Sequence, residues 1–280
     1  MDKYYKKITA HPPWFSLRFK EVWQYRELVL MLTKRTFMVR YRQTLLGPFW
    51  LLFVPLFRCF FIFLVFGKIA HLSTGNVPPF LFYLTGSAVW TFFSGCLMKN
   101  AGTFRNNAYL FSKVYFPRLC MPISYIFSDL IDFIFVMVIV FLLTGYYGIA
   151  GMLQFSCLRA LLIMPIMFFL GLMAMSIGIL ISSLTTKYRD FAVLLEYILT
   201  LWMPLTPIAY PLHDITNPVL LKLFYLNPVT GLMELFRYAM FGDGQILIGN
   251  LIYSCSFTIA ATCFGIIVFN RIERNFTDTI

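Results

Sequence analysis

LGPFWLLFVPLFRCFFIFLVF, Leu46 to Phe66, carries a single charge, Arg58, in an otherwise apolar run. At about 1.5 Å of rise per residue, roughly 20 such residues cross the ~30 Å of bilayer hydrocarbon as a helix. Three further runs are as plain: Leu119 to Leu143, Leu158 to Leu184 and Ile246 to Phe269. Two others, Phe80 to Met98 and Phe191 to Tyr210, have spanning length but are interrupted by Gly, Ser or Pro. Six spans are therefore expected, in an all-α membrane protein.

Composition agrees. Hydrophobic residues make up 60% of the chain and charged residues only 12%, far from the soluble range. The net charge of +11 does not point to nucleic acid, because the basic residues flank the apolar runs and act as orientation signals. An even number of spans puts both termini on one side. Placing them in the cytosol gathers there the basic residues of the amino-terminal segment, of the loops from Lys99 to Arg118 and Lys187 to Arg189, and of the tail at Arg271 and Arg274. Only Lys68, Arg159, Lys222 and Arg237 fall outside, as the positive-inside rule requires. No apolar leader core lies within Met1 to Phe15, so the amino terminus is expected to stay in the cytosol. The division read from this pattern is a tail and amphipathic interface helix over 1–45, a transmembrane domain over 46–270 and a cytosolic tail over 271–280.

Between Trp14 and Leu45, Val22, Leu28, Val29, Leu32 and Val39 alternate with Lys20, Arg26, Lys34, Arg35 and Arg42. A basic amphipathic helix of this kind lies in the membrane interface. Before the last span, Asn217-Pro218 and Asn227-Pro228 each open an apolar run. Asn is a good N-cap and Pro fits the first helical turn, so two short helices are predicted, Pro218 to Leu226 and Pro228 to Phe241. Neither is long enough to span. Irregular backbone at membrane depth must be buried in protein or line a cavity, so a re-entrant pair at the mouth of a pathway is expected, with Glu234 and Arg237 within it.

Charges inside spans need partners. Arg58 lies about 18 Å into the first span, and Asp129 and Asp132, which share a helix face, lie at matching depth in the third. A buried pairing of Arg58 with one aspartate is the expectation. On the first span, Trp50, Phe57 and Phe61 lie nearer Arg58, whereas Phe49, Phe53, Phe60 and Phe63 fall opposite. Gly171, Ala174, Gly178 and Ser182 form a small-residue face on the fourth, suited to close helix packing. The scattered cysteines form no C-x-x-C pair, and His11, His71 and His213 lie in separate loops or tails, so no metal site is expected. No phosphate loop, dinucleotide fingerprint or hydrolase motif is present, so directed transport would need an ion gradient or a separate energy source.

The segment YRELVLMLTKRTFMVRYRQTLLGPFWLLFVPL, Tyr25 to Leu56, resembles the entry segment of permease subunits of ABC exporters for cell-surface polysaccharides and polyol phosphates. NAYLFSKVYFPRLCMPIS (Asn107 to Ser124), TTKYRD (Thr185 to Asp190) and LNPVTGLMELFRYAMFG (Leu226 to Gly242) resemble that family's later motifs in order, most nearly those of Wzm-type O-antigen permeases. The resemblance implies a homodimer of six-span subunits in a bacterial inner membrane. Two copies of a partner subunit would bind ATP and Mg²⁺, with no cofactor in this chain. It implies ATPase docking through Tyr109, Phe111, Lys113 and Tyr115 and through Lys187, Tyr188, Arg189 and Asp190. It further implies an outer gate at 218–241 and, as cargo, an undecaprenyl-pyrophosphate-linked polysaccharide. Aromatic rings stack on sugar C–H faces, making Trp50, Phe57, Phe61, Tyr83, Trp90, Tyr197, Trp202 and Tyr210 conduit candidates; Arg40, Arg42 and Lys99 are candidate cations for the pyrophosphate. A drug or lipid exporter of the same superfamily is the strongest alternative. A secondary transporter would show a repeat, which is not visible here.

Overall fold

The computed structural model describes residues 19–275, apart from 43, 115, 154, 189 and 245. All regular structure among the described residues is helical. Two helices, α1 (Phe19–Gln24) and α2 (Arg26–Tyr41), precede the first span. That span is α3 (Trp50–Ile62), entered through a 3₁₀ turn at Gly47–Phe49 and continued by a π-helical stretch, Phe63–Ile69. Then come α4 (Pro79–Ala101), short α5 (Thr103–Asn106) and α6 (Ala108–Lys113), α7 (Cys120–Ile149), short α8 (Cys157–Ala160) and α9 (Ile163–Lys187). The chain ends with α10 (Asp190–Trp202), α11 (Pro218–Leu226), α12 (Pro228–Phe241) and α13 (Ile248–Asn275).

Five helical stretches are long and apolar enough to cross a membrane: Gly47–Ile69, Pro79–Ala101, Cys120–Ile149, Cys157–Thr185 and Ile248–Phe269. They match five of the six expected spans. Of the most apolar part of α4, 78% is buried, against 11% in the first span, so α4 is the post around which the others assemble. Its ring-rich surface, including Tyr83, Phe92 and Phe93, packs against α7, α9 and α12. The helices α1, α2, α5 and α6 gather at one end, which is basic; α8 and the loops after α3 and α12 lie at the other.

The sixth expectation needs correcting. Phe191 to Tyr210 is helical only as α10, whose 13 residues reach about 20 Å, less than the hydrocarbon thickness. A 3₁₀ turn at Met203–Leu205 ends it, and Thr206 is extended at φ −108° and ψ 136°. Pro204 sits in that turn and Pro207 just beyond, and neither can donate the N–H that would prolong the helix. The two Asn-Pro helices form as predicted. Asn217 accepts from the N–H groups of Val219 and Leu220, Asn227 caps Val229, and the pair bends by 92°. Gly242, at φ +70°, ends α12 in the left-handed conformation that favours glycine.

The small-residue face of α9 works as expected. A Cβ on Gly178 would stand 2.5 Å from the Asn100 Cβ and 2.8 Å from the Leu97 carbonyl of α4. Gly178→Leu is therefore expected to prise α4 from α9 and destabilise the fold by about 1–3 kcal/mol or more. Gly145→Leu, where a Cβ meets nothing within 4 Å, is the control, and thermal unfolding in detergent is the measurement.

Candidate functional site

The break after α10 leaves backbone carbonyls without helical partners in a buried stretch of chain. Two side chains of the α11–α12 pair satisfy them. Asn227, at the tip between α11 and α12, donates to the Leu205 carbonyl and to the Thr206 hydroxyl, both at 2.9 Å. Its amide oxygen accepts from the Val229 N–H at 3.0 Å and from the Trp202 indole at 3.1 Å. All of the capacity of this amide is engaged. The Trp202 ring packs in turn on Trp90 and Phe93, 6.2 and 5.4 Å between centroids, so the hairpin tip is fastened to the middle of α4.

Arg237 holds the remainder. Its side chain is 2% exposed, and it donates to the carbonyls of Ile208 (3.1 Å) and Tyr210 (3.2 Å) and to Glu234 at 2.8 Å. Its guanidinium lies 4.1 Å above the Phe82 ring of α4. The Tyr210 hydroxyl closes the loop by donating to the Pro204 carbonyl. Asn217, Pro218, Asn227, Pro228, Glu234 and Arg237 thus belong to one assembly, in which the two N-cap motifs shape the helices and the Glu234–Arg237 pair ties α12 to the unwound span. Beyond Gly242, Asp243 accepts from the Asn76 N–H at 3.3 Å and joins the hairpin to the loop after α3.

The charge network at the basic end differs from the expectation. Arg58 donates to the Thr91 hydroxyl at 3.2 Å and is not joined to either aspartate. Asp129 pairs with Lys99, at the end of α4, and Asp132 with Arg40 of α2; Arg40 also lies 3.9 Å from Asp129. The reason is the length of α7. Its 30 residues exceed what a bilayer requires, and its first turns lie beside α2, where Cys120, Met121 and Tyr125 pack on Val29 and Leu32. Counting depth from Leu119 therefore placed the aspartates too deep. Burial works against the Arg40 cation, but the Tyr41 hydroxyl and the carboxylates of Asp132 and Asp129 outweigh it and hold its pKa above the ordinary value. Asp129 Oδ2 and Asp132 Oδ1 are buried without a hydrogen-bond partner. Beside them opens a cavity of about 390 Å³ between α2, α3, α4 and α7. Arg40 and Lys99, considered as cations for a pyrophosphate, are already paired with carboxylates.

At the same end, Tyr109 and Lys113 of α6 project outward, with the ammonium 6.0 Å above the ring. Phe111 instead faces inward, between Phe104 and Phe116, and anchors the loop. Asn107 fastens it further by donating to the Tyr125 hydroxyl at 2.7 Å and the Thr103 carbonyl at 2.8 Å. Tyr188 and Asp190 are exposed; Tyr115, Arg189 and the Lys187 side chain lie outside the described residues.

The aromatic candidates separate into two groups. Tyr83 and Trp90 belong to the buried core, since α4 is surrounded on nearly all sides, and they present no ring to a conduit. Trp202 and Tyr210 are partly buried parts of the clamp. Trp50, Phe57, Phe61 and Tyr197 are exposed. Phe53, expected on the opposite face, completes a stripe along α3: Trp50–Phe53, Phe53–Phe57 and Phe57–Phe61 centroids are 5.6, 5.5 and 4.9 Å apart. The i, i+3, i+7, i+11 spacing of these rings was the available signal.

A bundle of long apolar helices with two short capped helices before the last of them is a polytopic membrane protein. The profile of the ABC-2 type transporter family matches residues 27–241, and the chain belongs to that family. It is 26% identical over 219 residues to the O-antigen export system permease protein RfbA of Myxococcus xanthus, covering 78% of this chain and 82% of that one. Two permeases of the same name from Klebsiella pneumoniae are 22% and 23% identical to it, each covering 91% of this chain and 95% of its own.

Removing one partner of a buried pair leaves the other charge uncompensated, at a cost of about 3–5 kcal/mol. Arg237→Met is therefore expected to lower the unfolding temperature markedly. Adding Glu234→Gln should restore part of the loss; equal instability of the single and double variants would show that the carbonyl contacts, not the ion pair, dominate.

Proposed function

We propose that this chain is the membrane subunit of an ATP-driven exporter that moves lipid-linked O antigen across the bacterial inner membrane. The observation that carries the reading is likeness over nearly the whole chain to O-antigen export permeases, up to 95% of a relative's length. In this reading the basic end faces the cytosol, in keeping with the positive-inside rule, and both termini lie there. Two copies pair around a conduit, with the exposed ring stripe of α3 and the face of α10 bearing Tyr197 turned toward it. Phe and Trp surfaces offer a sliding polysaccharide contact area without gripping any one repeat.

The energy comes from a separate ATP-binding subunit seated on α5 and α6 and on the loop between α9 and α10. Motion at that second loop has a short route outward: α10 runs from Asp190 to Trp202, and the Trp202 indole is bonded to Asn227 at the gate's tip. The hairpin and the unwound span then move together.

Three outcomes test this reading. Deleting the gene should remove surface O antigen, and the ATP-binding subunit should co-purify; unchanged surface polysaccharide would refute the cargo assignment. Tyr109→Ala with Lys113→Glu alters exposed side chains, so folding should persist while the ATPase is lost from the complex. Asn227→Ala should keep ATP hydrolysis but reduce export by about tenfold or more, within the 5–150-fold span of ordinary coupling energies. Equal loss of both activities would argue that Asn227 supports only the fold.

A further inference from the structure

We propose that the 390 Å³ cavity between α2, α3, α4 and α7 is a binding site for a zwitterionic phospholipid with a primary-amine head group. Its volume falls within the about 300–1,000 Å³ typical of small-molecule sites. The walls are apolar, with Leu51, Val54, Phe92, Phe133 and Val136 among them, and the floor is polar, formed by Arg40, Tyr41, Thr44, Asp129 and Asp132. An occupant must therefore be amphipathic. Along the walls only the Thr91 hydroxyl and the Trp50 indole offer sugar hydroxyls a partner, whereas a hydrocarbon chain requires none.

The direction of the slot matches a lipid in its leaflet. The floor lies where α2 meets α7, at the level of an interfacial helix, and the apolar walls rise along α7 from Asp132 to Val136. The head group would rest at the interface and one acyl chain would lie between α3, α4 and α7.

The floor also selects the head group. On the floor Arg40 and Lys99 are balanced by Asp132 and Asp129, so a net negative head gains no excess cation there, while Arg58 is bonded to Thr91 of the wall. A dipolar head can place its phosphate against the Arg40 guanidinium, which is 35% exposed, and its ammonium toward the carboxylates. Asp129 Oδ2 and Asp132 Oδ1 are acceptors without donors. A primary ammonium carries N–H groups to offer them; a trimethylated amine carries none. The lipid would brace α2 against α7, a role separate from that of the exported cargo.

The test is photolabelling of the intact membrane protein with ethanolamine, choline and glycerol phospholipids carrying a diazirine in mid-chain. Ethanolamine lipid is expected to label 88–92 of α4 and 133–136 of α7, saturating at about one lipid per subunit. Val136→Phe should weaken this about tenfold, the effect of expelling roughly two methylenes from the slot. If that variant misfolds, the pair Arg40→Gln with Asp132→Asn serves instead. It removes the Arg40–Asp132 pair and leaves Asp129 with Lys99, so no lone charge remains, and it should sharply reduce the preference for the amine head. Equal labelling by all three lipids overturns the proposal, as does label spread along the outer faces of α3 and α13. Displacement by a polyprenyl pyrophosphate also overturns it, by making the cavity a cargo site.

Discussion

Backbone polarity buried inside the bundle is the constraint on which this structure turns. A helix that stops after Trp202 leaves the carbonyls of Leu205, Ile208 and Tyr210 inside the protein, and each must find a donor or carry a desolvation cost of about 1–3 kcal/mol. Asn227 and Arg237 supply those donors from a single element. The α11–α12 hairpin is consequently part of the hydrogen bonding of the stretch after α10. Without α12 the unwound stretch has no stable place; without the unwound stretch Arg237 has no acceptors beyond Glu234.

Carrying a buried arginine for this purpose needs its own compensation. Glu234, one turn earlier on α12, supplies the charge, and the Phe82 ring supplies a face of negative potential. The second depends on α4 standing at the centre of the bundle, where its rings reach α12 on one side and Trp202 on another. The aromatic richness of the chain thus serves two ends. Tyr83, Trp90 and Phe93 build the post, while Trp50, Phe53, Phe57 and Phe61 remain on the surface.

Much of this was legible in the sequence because the underlying signals are local. Hydrophobic run length located five spans, and Asn-Pro at 217–218 and 227–228 located both short helices to the residue, since cap chemistry acts within one turn. Distant relations were less visible. The partner of Asp129 depended on how far α7 extends beyond the bilayer, and nothing in its apolar run records where the membrane ends. Tyr83 and Trp90 looked like any other membrane aromatics because burial of α4 on all sides is a property of the assembled bundle. Tyr210 is separated from α10 by two prolines, Pro204 and Pro207, and prolines so close together end the helix.

The corrected charge network changes what the basic segment does. Paired to Asp132 and close to Asp129, Arg40 ties α2 to α7. Its apolar face reaches α7 through Val29 and Leu32, and its Thr33 hydroxyl donates to the Ser124 carbonyl at 3.3 Å. A helix held only by lipid could drift with the interface; one held by packing, a hydrogen bond and an ion pair moves with α7. The loop of α5 and α6 is tied to the same helix through Asn107 and Tyr125. α7 therefore joins the amino-terminal helix to the α5–α6 loop, while α10 reaches the tip of the α11–α12 hairpin through Trp202 and Asn227.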